Sequence, residues 1–430
     1  MRALAFLALA GCNAILGIEE PTLQGIGPVD VTILKEFGQG VVASIPAGIN
    51  CLRECTTQSK SFAAGQKLRL TATGAPGYAF AGWQDCPTVD GTACVVDRSA
   101  TVTATFAPIT ANIIFVTSTT FNGSLGGVAG GDARCLAAAA TGGLPDSTSY
   151  KALLSSSTEG ARQHLGSARG FVRPDGLPVA DTVDDLLVLH RMWYAADLTE
   201  TGVVSPNGNA WTGSNFTGDG GTSDCGGWIK SDAGTAGDVG MVHASANFAN
   251  TSSVGCDEML PLICVQTSRV QQLDSPPPSS GKLVFLSTGK FTPSQGLSAA
   301  NAICAGETPP QATGPVVALL ATSSRSAKSL LAIDTYVRPD GIPIDAFGDS
   351  ASAGWVHHDG SYAAPEPGLP LAVWNGSQVL GATPMADNHT CGDWSTTQGM
   401  GDASFPNAGE VWGTFKAACT RPLALYCIER

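Results

Sequence analysis

The residues most able to do chemistry in this chain are its cysteines. Cys135, Cys225, Cys256 and Cys264 are separated by 90, 31 and 8 residues, and Cys304, Cys391, Cys419 and Cys427 by 87, 28 and 8. Thiols placed this way either oxidise to disulfides or hold a metal as thiolates. No tight Cys-x2-Cys pair occurs and no histidines cluster with them, so disulfides are expected. Other landmarks return in the same order. Val172-Arg-Pro-Asp-Gly176 reappears as Val337-Arg-Pro-Asp-Gly341, Trp211-Thr-Gly-Ser214 as Trp374-Asn-Gly-Ser377, and Cys225-Gly-Gly-Trp228 as Cys391-Gly-Asp-Trp394. The chain from about residue 112 onward therefore holds two copies of one disulfide-stapled unit.

Other reactive side chains give weaker signals. Asp175 and Asp340 suggest paired carboxylates, but each occupies the turn position of Pro-Asp-Gly and one falls in each copy, so both are expected to form turns. The histidines are His164, His190, His243, His357, His358 and His389. His357 and His358 are vicinal and would point to opposite faces of a strand. No His-Glu-x-x-His motif, nucleophile elbow, P-loop or dinucleotide fingerprint is present. No metal or catalytic residue is assigned, and the chain is expected not to be an enzyme. Trp228 and Trp394 follow a bridged cysteine and are expected to pack on it.

The chain has 13 cysteines, an odd number that calls for one unpaired thiol in an exported protein. Cys12 fits that role. Met1-Arg-Ala-Leu-Ala-Phe-Leu-Ala-Leu-Ala-Gly-Cys12 carries one positive residue and a short apolar run, too short to span a bilayer. Leu9-Ala-Gly-Cys12 resembles a bacterial lipobox. That resemblance implies a signal peptide over 1–11 and a lipid on Cys12, attaching the protein to a membrane of the bacterial cell envelope. Asn13 stands where an Asp commonly marks inner-membrane retention, which favours the outer membrane or cell surface. The twelve remaining cysteines form an even set in an oxidising compartment. The formal charge of -13, with only 23 Lys plus Arg, argues against nucleic acid as a partner.

These residues need elements to position them. Residues 12–29 have no clear period and read as a tether. From 30 to 108, Val31-Thr-Ile-Leu34, Lys67-Leu-Arg-Leu-Thr-Ala-Thr73 and Ala100-Thr-Val-Thr-Ala-Thr-Phe106 alternate with period two between Gly and Pro turns, which predicts antiparallel strands. The block also contains Pro46-Ala-Gly-Ile-Asn-Cys51, Cys55, Phe80-Ala-Gly-Trp83, Cys86 and Cys94. In this order the motifs resemble the internalin-type B-repeat of bacterial surface proteins, which implies a small all-β, β-grasp-like module acting as a spacer or adhesive unit. Trp83 is expected in its core. Local pairs Cys51–Cys55 and Cys86–Cys94 are the economical arrangement among three connectivities.

The first copy spans 112–266 and the second 282–430, joined by a Pro/Ser-rich, semi-extended linker at 267–281. Ile113–Thr117 and Leu283–Ser287 read as opening strands. Gly131–Ala140 and Ala299–Ala305 read as helices carrying Cys135 and Cys304, and Leu260–Cys264 and Leu423–Ile428 as closing strands. With the first and last cysteines on an early helix and the final strand, the pairing is expected to be nested. Cys135–Cys264 then encloses Cys225–Cys256, and Cys304–Cys427 encloses Cys391–Cys419.

This plan resembles the C-type lectin-like fold, in its endostatin-like branch and related domains of bacterial surface lipoproteins. The fold class expected is a small all-β module followed by two α+β lectin-like domains. In sugar-binding members of that fold a loop acid or amide beside a Pro, with a Trp-Asn-Asp triplet, holds calcium. Here Trp374-Asn-Gly and Trp211-Thr-Gly lack the following Asp, and Glu366-Pro-Gly ends in Gly where Glu-Pro-Asn is usual. No cofactor is therefore expected, with calcium as the alternative. Ligand contacts are sought in loops 190–224 and 355–390, at Trp211, Asn215, Asp219, Asp224, Glu366, Trp374, Asn375 and Asp387. The function expected is non-catalytic adhesion to, or recognition of, an extracellular glycan or protein. A structural scaffold without a specific ligand is the alternative, and a secreted hydrolase the third reading.

Overall fold

The computed structural model describes residues 28–221, 223–245, 247–332, 335–344, 354–363, 371–384, 389–406, 412 and 415–430. Cys12, the signal segment, Glu366 and Asp387 lie outside them.

The first unit is all β. Its two sheets run in the orders 57–62, 29–35, 100–108, 78–84 and 50–51, 40–45, 68–74, 93–96, 88–90. The alternating strands bury Val31, Ile33, Val42, Leu68, Leu70, Val96 and Val102 between them. Trp83 is half-buried rather than enclosed. It packs against Phe80 at 5.0 Å, and its indole donates to the Thr92 carbonyl. The disulfides Cys51–Cys55 and Cys86–Cys94 are both local.

The two copies are α+β and share one plan. In the first, a five-stranded sheet runs 150–152, 263–266, 112–116, 169–172, 178–182, and a smaller one 209–211, 236–241, 252–255. In the second, the corresponding strands join into one sheet, because Val373–Trp374 pairs directly with Ala424–Glu429. The opening strand Asn112–Val116 is buried along its whole length. Its side chains alternate faces, so Ile113 and Phe115 enter one core while Ile114 and Val116 enter another. Phe285 and its neighbours Val284 and Leu286 divide in the same way. A central strand between two apolar layers needs hydrophobic residues at every position, which is why these runs do not alternate.

The helices Val128–Thr141 and Gly296–Gly306 cover one of these layers. Each is alanine-rich, which suits a helix packed closely on a sheet. Cys135 joins Cys264 on the closing strand and Cys304 joins Cys427, across 129 and 123 residues. Cys225–Cys256 and Cys391–Cys419 are enclosed within these bridges. Residues 267–281 have no regular secondary structure, yet they are pinned. Arg269 N–H donates to Asn112 Oδ1, Asn112 Nδ2 donates back to the Arg269 carbonyl, and Leu273 N–H donates to Asp181.

Loop-closure entropy sets the order in which disulfide loss should hurt. A loop of the Cys135–Cys264 size corresponds to about 5 kcal/mol and one of the Cys51–Cys55 size to about 2 kcal/mol. The paired variant Cys135→Ala/Cys264→Ala is therefore expected to lower the denaturant midpoint far more than Cys51→Ala/Cys55→Ala, measured by equilibrium unfolding of the oxidised protein.

Candidate functional site

The loop end of each copy is organised by a turn of unusual hand. Cys225, Gly226, Gly227 and Trp228 have φ of 51°, 64°, 77° and 63°. Cys391, Gly392, Asp393 and Trp394 have φ of 51°, 61°, 53° and 68°. Four consecutive left-handed residues make one turn of left-handed helix, which costs roughly 1–2 kcal/mol for each residue bearing a Cβ. Glycine meets the demand at 226, 227 and 392, and aspartate tolerates it at 393.

Each turn is fastened at several points. Its cysteine is bridged to the strand across the loop. Its tryptophan is fully buried, with the indole N–H donating to the Ser155 carbonyl at 2.8 Å in one copy and to the Ala321 carbonyl at 2.9 Å in the other. A second tryptophan meets it edge to face, Trp211 on Trp228 at 5.8 Å and Trp374 on Trp394 at 5.7 Å. The second indoles donate to the carbonyls of Phe121 and Phe291. The loop positions of Trp211 and Trp374 in the sequence suggest ligand contacts. The structure corrects this, since both are fully buried and their polar atoms are already bonded. Asn375 is likewise buried, and its Oδ1 accepts from the Ser377 amide.

The acids of the first loop are also engaged. Asn215 Oδ1 accepts from the amides of Thr217 and Asp219, and Asp219 lies 3.8 Å from Arg162. Asp219 is exposed and Asn215 half-buried, within a loop that closes on itself. Asp224 caps the left-handed turn by accepting from Gly227 N–H, and its other oxygen accepts from Ser157 N–H. In the second copy Thr390 holds the cap position and accepts from Asp393 N–H. The carboxylate has moved to Asp393, which accepts from Ser323 N–H at 2.7 Å. Burial acts to raise the Asp393 pKa, but hydrogen bonds from Ser323 and Thr390 prevail and hold it below the usual carboxylate range.

Beside each turn lies a buried aspartate that sequence reasoning overlooked. Asp238 pairs in register with Ser253, and Asp402 with Lys416. Asp224 and Thr390 form equivalent bridges to Gly237 and Gly401, so Ser223 and His389 are equivalent too. In the first copy Ser253 donates to Asp238 Oδ1 at 2.5 Å, and Ser223 N–H to Oδ2 at 3.2 Å. In the second, His389 Nδ1 lies 2.5 Å from Asp402 Oδ2, and Lys416 Nζ donates to Oδ1 at 3.0 Å. Asp402 is 1% exposed, whereas His389 and Lys416 are 23% and 38% exposed. A buried anion therefore positions two basic groups that reach the surface. Such an arrangement offers an ammonium and an imidazole to a ligand. Among the described residues no group of three or more His, Cys, Asp or Glu is placed to hold a metal ion.

The repeated Arg-Pro-Asp-Gly motif proves to be more than a turn. Asp175 accepts from Arg173 Nε and Nη2, and Asp340 does the same for Arg338. The arginine two residues before each aspartate was the signal for this in the sequence.

Residues 54–110 match the Divergent InlB B-repeat domain family. Residues 118–245 match a protein family of unknown function, DUF1554. No curated protein matches the chain.

Two substitutions test how the turn is held. Trp228→Phe leaves the buried Ser155 carbonyl unpaired and is expected to cost about 2–3 kcal/mol in equilibrium unfolding. Asp393→Asn keeps the left-handed conformation but removes the charge. Because the folded-state pKa is lowered from 3.8, the carboxylate stabilises the fold above that pH and loses this effect as pH falls through the folded value. The variant is expected to be less stable at pH 7 and to approach the native protein's stability in acid titrations below about pH 4.

Proposed function

We propose that this protein is a non-catalytic, lipid-anchored recognition protein of the bacterial envelope. Cys12 carries the lipid, and attachment to the outer membrane or cell surface follows from the residues around it. The B-repeat module, read as β-grasp-like, spaces two C-type lectin-like domains from the membrane, and their loop ends meet an extracellular glycan or protein. The nested disulfides and the strand–helix opening of each copy support the lectin-like reading.

One observation carries the binding role. Both copies keep the left-handed turn, the tryptophan pair and the buried aspartate, but they differ in what surrounds that aspartate. Ser223 and Ser253 in one copy are His389 and Lys416 in the other. A framework held constant beneath exchanged surface side chains is the expected pattern when a scaffold carries distinct contact surfaces. The basic pair favours an acidic partner, such as a glycan bearing carboxylates, and no calcium is required by this contact.

A glycan array probed with the full oxidised chain, with and without calcium, tests this reading. Binding to acidic glycans that persists in chelator and falls at least tenfold in His389→Ala/Lys416→Ala is the expected result. Calcium-dependent binding would shift the contact to the loop acids. No binding by folded protein would favour the scaffold reading.

A further inference from the structure

The repeated Arg-Pro-Asp-Gly turn has an outer face, and in both copies that face touches chain belonging to the preceding part of the molecule. In the first copy the Pro174 carbonyl accepts from Gly77 N–H of the B-repeat module at 2.9 Å. Gly176, at φ +85°, lies so close to the module that a Cβ there would sit 2.5 Å from Ala79 Cα. In the second copy the Gly341 carbonyl accepts from Ser279 N–H of the linker at 2.9 Å, and a Cβ on Gly341 would sit 2.6 Å from Pro278 Cα. The linker is in turn held by the module, because Ser280 N–H donates to Asp90 Oδ1 at 2.7 Å. Glycine at 176 and 341 is thus needed for close approach as well as for backbone conformation.

The two arginines have diverged in a way that extends this contact. The bridges Val116–Thr199 and Leu286–His357 make Asp197 and Trp355 equivalent positions. In the first copy Arg173 Nη1 reaches Asp197 at 3.4 Å, within its own domain. In the second a tryptophan replaces that acid. Arg338 Nη1 instead donates to the Gly354 carbonyl and, at 3.4 Å, to the Met192 carbonyl of the first copy. Its side chain is 2% exposed, so its charge depends on Asp340, Tyr362 and these two carbonyls. Gly354 sits in the same seam, where a Cβ would lie 2.9 Å from Ser245 Oγ and 3.2 Å from the His190 carbonyl.

We infer that the Arg-Pro-Asp-Gly turn is an intramolecular docking element, and that it joins the B-repeat module and both copies into one body with their loop ends at a fixed mutual orientation. The partner that each turn fits is the preceding segment of this same chain. The inference is independent of what ligand is bound.

Small-angle X-ray scattering of the full oxidised chain tests it, together with amide exchange at Ser279 and Gly77. A single compact arrangement and protection of both amides are expected. A scattering profile that requires a mixture of interdomain separations, or exchange of both amides at unprotected rates, would overturn the inference. Gly354→Trp forces a large side chain into the seam. It is expected to enlarge the radius of gyration and speed Ser279 exchange while near-ultraviolet dichroism and the absence of free thiol in the two copies are unchanged. Ser245→Trp wedges the same seam from the other side and serves should Gly354→Trp not fold. A folded wedge variant with unaltered scattering and exchange would also overturn it.

Discussion

The left-handed turn at Cys225–Trp228 and at Cys391–Trp394 is the constraint around which each loop end is arranged. Such a turn does not persist on local preference, because residues with a Cβ disfavour it. It persists because independent fastenings coincide there: a disulfide, a buried indole hydrogen bond and a side-chain cap. The same fastenings place the second tryptophan, the buried aspartate and the groups around it. Backbone strain of this kind commonly accompanies functional regions, where the surrounding structure over-determines it. Here the surrounding structure consists of the long-range bridges and the doubly covered central strands.

Much of that framework was legible in the sequence. The cysteine spacings imply a duplication, and an alanine-rich segment before a long loop-rich stretch implies a helix bridged to a closing strand. Period-two patterning in 30–108 marks the β module. These features are legible because they depend on local residue preference or on a count of thiols. The apolar runs of the opening strands are legible for a related reason, since burial on both faces leaves no polar alternation.

Side-chain roles in the loops were less legible. Trp211 and Trp374 lie next to loop residues, which suggests a ligand surface, but whether an indole faces solvent depends on what packs over it. Here the packing partner comes from a turn 17 to 20 residues further along the chain. Asp238 and Asp402 carry no motif of their own, and their surroundings become visible only when strand register places Ser253 or Lys416 opposite. The arginine of Arg-Pro-Asp-Gly was readable in principle, because the aspartate follows it at a spacing that permits a bidentate pair. Its reach across the seam to Met192 was not, since that depends on a substitution at a distant position.

Asp224 and Asp393 bear on whether segments of the two copies are interchangeable. Both carboxylates accept from the same backbone amide, of Ser157 or Ser323, but they come from positions three residues apart on the turn. Exchange of short segments between the duplicated halves would break this correspondence. A crossover that brought Thr390 together with Gly227 would leave no acid for the amide, and the reciprocal product would crowd two acids around it. These paired acids set a physical penalty against such exchange. Each copy therefore depends on its own pairing of cap and acid, and a segment of one does not substitute for the same segment of the other.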